Sequence, residues 1–143
     1  MTIYLLFPVQ LYNNIKHLKK ADKIYLIEEP RYFTDFKFHK LKLAYHRASM
    51  KKYYDKLKKK FNISYITYDK ATNKFYKDLA NLNTEQIYYM DTCDLLLNAK
   101  LHKLIKNIIQ EPSINFLIKP NKFQDIKKII YSNKRYSHEK FYK

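Results

Sequence analysis

Short apolar runs alternate with stretches of helical periodicity along the whole chain, and few architectures can bury both kinds of element in that order. Residues 2–7, 23–28, 63–68, 86–90 and 114–118 are rich in β-branched and aromatic side chains and have the length of strands. Residues 10–18, 39–61, 72–82, 95–109 and 123–131 read as the helices between them. In the longest, Leu43, Met50, Tyr54, Leu57 and Phe61 recur at spacings of three, four and seven, which is one helix face. Thr72 or Asn73 and then Asp94 stand at N-cap positions, and the lysines of residues 56–60 suit a helix C-terminus. Strand followed by helix, five times, predicts an α/β domain with a mostly parallel five-stranded sheet and helices on both faces. The domain is expected over residues 1–131. Residues 132–143 are polar and basic, have no strand left to pair with, and read as a connector.

A chain of 143 residues suits one domain, and a hydrophobic content of 46% is enough to build a core. The apolar runs are too short to cross a bilayer, and Met1 leads into a strand and not a signal peptide. A soluble intracellular protein, with no membrane partner, is expected. Cys93 is the only cysteine, so neither an internal disulfide nor a cysteine-only metal site can form within this chain. His17, His39, His46, His102 and His138 lack the spacing of a zinc motif, and no metal site is assigned.

Glycine is absent. That excludes the G-x-G-x-x-G dinucleotide loop, the Walker A loop and the G-x-S-x-G elbow, each of which needs glycine where backbone turns sharply or approaches phosphate. Asp91 and Asp94 flank Cys93 and would raise its thiol pKa, which argues against an activated nucleophile. No Ser–His–Asp set and no defensible carboxylate pair is present, so no catalytic residue is assigned.

The formal net charge is +16, which points to nucleic acid or another polyanion. Lys51, Lys52, Lys56 and Lys59, with Lys58, Lys60, Tyr53 and Tyr54 among them, are the candidate phosphate contacts. A competing account is compositional. Lysine, asparagine, isoleucine and tyrosine abound, and glycine, ordinarily about 7% of residues, is missing. An AT-rich genome writes that pattern, and a large DNA virus and a low-GC bacterium both fit it. On that account the lysines are a solvated helix face.

Ligands of open parallel sheets bind beyond the C-terminal strand ends. The residues just past the first two strands are Pro8, Val9 and Gln10, then Glu28, Glu29, Pro30, Arg31, Tyr32 and Phe33. Gln10 can donate and accept at a heterocycle edge, Glu28 can accept from a ring N–H, and Tyr32 and Phe33 can stack on a planar ligand. Helix capping, solvent contact and ordinary packing explain the same residues. Arg47 follows Leu43 by four and precedes Met50 by three, so it lies on or beside the buried face and needs a partner. Glu28 or Glu29 can supply a structural ion pair; an anionic ligand or a second domain is the alternative.

Three blocks carry a resemblance: Leu26-Ile-Glu-Glu-Pro-Arg-Tyr-Phe33, Phe38-His-Lys-Leu-Lys-Leu43 and His46-Arg-Ala-Ser-Met50. They resemble the photolyase-related proteins of the iron–sulfur bacterial cryptochrome and photolyase group. Phe7-Pro-Val-Gln-Leu11 is similar to that group's P-N-Q-L opening, with Val9 in place of Asn. Ser113-Ile-Asn-Phe-Leu117 and His138-Glu-Lys-Phe-Tyr-Lys143 are similar to its S-P-N-F-L strand and F-Y-K linker start. The resemblance implies a Rossmann-like three-layer antenna domain. It further implies that FAD, an iron–sulfur cluster and the DNA lesion pocket belong to a helical domain beyond this chain, encoded separately or lost, so that no catalysis is expected of this chain alone. Some members bind a lumazine-type antenna chromophore here. Carried onto this sequence, its contacts are Pro8, Gln10, Glu28, Tyr32 and His46, although Tyr32 stands where those members tend to have a carboxylate.

Three functions therefore compete. A photolyase-type domain acting with a separate flavin domain predicts an exposed apolar patch. A free-standing basic nucleic-acid-binding module predicts DNA affinity that falls steeply with salt. A small nucleotide-binding enzyme predicts a bound mononucleotide and rests on fold analogy alone.

Overall fold

A strand whose side chains are buried on both faces must lie at the centre of a layered fold. β1 (Thr2–Leu6) is that strand: Ile3, Tyr4, Leu5 and Leu6 are all buried. The computed structural model describes residues 1–82 and 84–116, with the paired segments Tyr131–Ser132 and Arg135–Tyr136. β2 (Lys23–Ile27), β3 (Ile63–Ile66), β4 (Gln86–Met90) and β5 (Ile108–Glu111) join β1 in one sheet of order β3-β2-β1-β4-β5. Every pairing in it is parallel. The order reverses between β1 and β4.

Period-two alternation divides the core between the two faces. Ile3, Leu5 and Phe7 pack with Tyr76 and Leu79 of α2 (Asn73–Ala80) and with Leu97 and Leu101 of α3 (Leu95–Leu104). Tyr4 and Leu6 pack on the other face with Met50, Tyr53 and Leu57 of α1 (Lys40–Leu57) and with Leu18 of a 3₁₀ turn, Lys16–Lys20. The result is a three-layer, Rossmann-like α/β arrangement.

The helices start where local chemistry starts them. Thr72 accepts from the Phe75 N–H, and Asp94 accepts from the N–H groups of Leu96 and Leu97, so each caps its helix. His39 caps α1, its Nδ1 accepting from the Leu41 N–H at 3.2 Å.

Besides α1, which stops at Leu57 where a helix to residue 61 is expected, three elements differ from the sequence expectation. No α-helix forms over residues 10–18. Asn14 Oδ1 accepts from the Lys16 N–H at 3.2 Å, a local alternative to helix, and only the 3₁₀ turn follows. The expected helix over 95–109 ends at Leu104, because Ile105 turns extended at φ −125°, ψ 97°. The fifth strand is therefore Ile108–Glu111 and not 114–118; Ile114 and Asn115 lie in a turn. Residues 117–118, and residues 123–130 of the expected last helix, lie outside the described residues, as does the motif at 138–143.

The chain divides into two units, Met1–Glu111 and Pro112–Lys143. In the second, β6 (Tyr131–Ser132) pairs antiparallel with β7 (Arg135–Tyr136), so Ser132 has a pairing partner after all. Among the described residues, no helix is long and apolar enough to cross a membrane.

Candidate ligand site at the strand ends

Fold topology directs attention to the crevice where the strand order reverses, past the ends of β1 and β4. Gln10 fills it. Its side chain is 0% exposed; its Oε1 accepts from the Phe7 N–H at 3.1 Å and its Nε2 donates to the Met90 carbonyl at 2.6 Å. The amide thus ties the ends of β1 and β4 together.

One strand over, consecutive residues of an extended chain point to opposite faces, and Glu28 and Glu29 do so with different partners. Glu28, also 0% exposed, accepts a bidentate pair from Arg47 Nε and Nη2, both at 2.7 Å. It also accepts from the Tyr65 hydroxyl at 2.5 Å and the Tyr68 N–H at 3.2 Å. Burial pushes this carboxyl up, but the bonds from Arg47, Tyr65 and Tyr68 outweigh it and hold its pKa below the ordinary value. Glu29, on the α2–α3 side, takes the Tyr76 hydroxyl and Lys100 Nζ, the latter at 2.6 Å. Burial, with Glu29 close by, pushes the Tyr76 hydroxyl well above its ordinary pKa.

The open recess lies over α1. A cavity of about 230 Å³ is lined by Phe33, Thr34, Leu43, Ala44, Arg47 and Tyr68. The Phe33 and Tyr68 rings are near-parallel, 10° apart with centroids 6.2 Å apart. The Arg47 guanidinium carbon is 5.7 Å from the Phe33 centroid and 5.3 Å from that of Tyr68, within cation–π range. Although Glu28 is sealed, the Arg47 side chain is 41% exposed, and its Nη1 has no hydrogen-bond partner among the described residues. The recess therefore offers aromatic faces and a fixed cation, the chemistry of a planar ligand with an electron-rich edge.

His46 lies beside the recess, stacked on Phe33 at 5.3 Å and 12° and edge-on to Tyr32 at 6.4 Å. Burial pushes its pKa down, while contact with the Pro8 backbone pulls the other way. Pro8, Tyr32 and His46 thus form one neighbourhood. Tyr32 lies 3.5 Å from Asp94 Oδ2, a carboxylate that also takes Arg31 Nε. Burial, then the Asp94 charge, pushes the Tyr32 hydroxyl up to about 12. The five sequence candidates fall into two groups: Pro8, Tyr32 and His46 lie together beside the recess, none of them among its lining residues, while Gln10 and Glu28 are sealed with protein partners. Tyr68, just past β3, was not singled out in the sequence; the strand-end rule extended to the third strand finds it. Beyond the cap expected from the sequence, Asp94 holds the loop after β2 through Arg31.

Lys51, Lys52, Lys56 and Lys59 are all exposed. Lys52 and Lys56, four apart on α1, share an outward face, and Lys59 lies past the end of the helix. Lys56 Nζ donates to Asn13 Oδ1 at 3.3 Å, whereas Lys51 faces the Tyr65 ring at 5.6 Å. Among the described residues, no three of His, Cys, Asp and Glu gather as metal ligands.

The family model described as deoxyribodipyrimidine photo-lyase-related protein matches residues 4–143. Comparison with curated proteins gives no match.

Proposed function

The chain belongs to the deoxyribodipyrimidine photo-lyase-related protein family, and from that premise we propose that it is an antenna-type α/β domain that works with a helical flavin-binding domain and holds no catalytic centre of its own. The recess over α1 carries the reading. Phe33 and Tyr68 supply ring faces, and Arg47 supplies a cation whose position is fixed by the sealed Glu28 carboxylate. A lumazine-type heterocycle has the planarity and electron-rich carbonyl edge that such a recess takes. On this reading the ligand extends past Phe33 to His46, Tyr32 and the Pro8 backbone, Glu28 holds Arg47 in place, and Gln10 ties the neighbouring strand ends together.

The flavin domain would dock at the same end of the sheet. There Leu41 and Tyr45 of α1, Leu95 and Leu96 of α3, and Phe36 expose apolar surface, Leu95 to 84%, as an unshielded interface does. FAD, an iron–sulfur cluster and the DNA lesion pocket belong to that partner. The test is titration with a ribityl-lumazine, followed by fluorescence anisotropy, with and without co-expressed helical flavin domain of a family member. Saturable binding and a co-purifying yellow complex are expected. A chain that binds no lumazine in either setting and retains no flavin domain overturns the reading.

A further inference from the structure

A second concavity lies away from the strand ends, between α1 and the sheet edge formed by β3. It has a volume of about 440 Å³ and is lined by Lys51, Tyr54, Asp55, Ser64 and Tyr65. The Tyr54 and Tyr65 rings meet edge to face, with centroids 5.7 Å apart at 76°. Tyr65 is held in place because its hydroxyl donates to the buried Glu28 at 2.5 Å. A lysine stands over each ring: Lys51 is 5.6 Å from the Tyr65 centroid and Lys58 is 5.5 Å from that of Tyr54. Residues 51–60 hold six lysines against one acid, Asp55, and Lys58 neutralises Asp55 at 2.6 Å. Because β3 ends the sheet order, one row of its main-chain groups has no strand to pair with in that sheet.

We propose that this groove binds single-stranded nucleic acid, with an unpaired base against Tyr54 and Tyr65 and the flanking phosphates on Lys51 and Lys58. The inference does not depend on the antenna reading, because none of these four residues lines the recess over α1. Fixed rings beside point-charge ammonium groups are the combination that captures a single strand without reading its sequence. A duplex keeps its bases stacked and offers this groove only phosphate. A membrane surface calls for exposed aliphatic side chains beside the lysines, and the groove lining has none.

The experiment uses the full chain, a fluorescent oligothymidylate, a duplex of the same length and anionic phospholipid vesicles, across a salt series. The oligothymidylate should bind more tightly than the duplex or the vesicles. The double variant K51Q/K58Q should weaken it by about tenfold and reduce the slope of log affinity against log salt by about 1.4, two phosphate contacts at 0.7 each. The control K103Q/K106Q removes equal charge from the far side of the sheet and should leave the affinity within about twofold. A 5-iododeoxyuridine oligonucleotide should crosslink to Tyr54 or Tyr65, a readout that needs no variant. Equal weakening by both lysine pairs, duplex or vesicle binding as tight as single-strand binding, absence of binding, or crosslinks elsewhere would each overturn the groove.

Discussion

The residue that organises the candidate site is Arg47, which joins a sealed carboxylate to an open aromatic recess. Its spacing from Leu43 and Met50 made a partnered arginine legible in the sequence. The choice between Glu28 and Glu29 was not legible, because consecutive residues of an extended chain face opposite ways and the sequence does not say which face α1 covers. Glu28 and Gln10 were legible as strand-end residues but not as buried ones, since their partners, Tyr65, Tyr68 and Met90, come from strands distant in sequence. Replacing Arg47 with Met removes two charge-assisted bonds from a carboxylate that stays buried. With the guanidinium half in solvent, the loss should be about 2 kcal/mol at neutral pH. The pH dependence has a definite sign. The folded-state pKa of Glu28 lies below its unfolded value. The stabilisation is therefore complete above the ordinary carboxylate range and lost as pH falls through the folded-state pKa. Thermal unfolding followed by circular dichroism should show a large gap between Arg47→Met and the parent at pH 7 that narrows at acid pH, below the ordinary carboxylate range. A gap of the same size at both values would mean that Arg47 acts by packing alone.

At the scale of elements, strands β1 to β4 and helices α1 to α3 were readable because pattern and caps agreed, Asp94 and Thr72 standing where the helices begin. The fifth strand was not. Leu101, Leu104, Ile105 and Ile108 keep the three-and-four spacing of a helix face, so the helical period hides the end of α3; the usable signal was the Lys106-Asn107 turn before the β-branched pair Ile108-Ile109. Asp94 shows how one element's cap serves another's loop. It receives Leu96 and Leu97 N–H from its own helix, Arg31 Nε from the loop after β2, and lies near the Tyr32 hydroxyl. Burial pushes its carboxyl up, but Arg31 and the cap bonds outweigh that and hold it below the ordinary value. Asp94→Ala loses cap and ion pair together and should cost about 2 kcal/mol, whereas Asp94→Asn keeps the cap and should recover about half. Equal losses in chemical denaturation would assign the whole effect to the Arg31 pair and none to the cap.

Across the whole molecule, the excess of positive charge sets the fold against itself. With a formal net charge of +16, few of the lysines can find acids; among the described residues, Lys20, Lys58 and Lys100 are the lysines in ion pairs. The rest repel one another over the screening distance, about 30 Å in 0.01 M salt and about 10 Å in 0.1 M, and unfolding relieves that repulsion by spreading the charges. Sodium chloride should therefore raise the melting temperature as it rises from about 0.01 to 0.1 M. Most proteins with balanced surfaces respond weakly over that range, because attractive and repulsive pairs are screened alike. The same salt should weaken any complex with a polyanion, since each phosphate contact releases counterions. Opposite responses of the free and bound protein are thus the signature of charge kept for a partner at a cost in stability. A melting temperature that is flat or falling with salt would mean that the lysines are already neutralised locally, and the charge would then be no more than the composition of an AT-rich coding sequence.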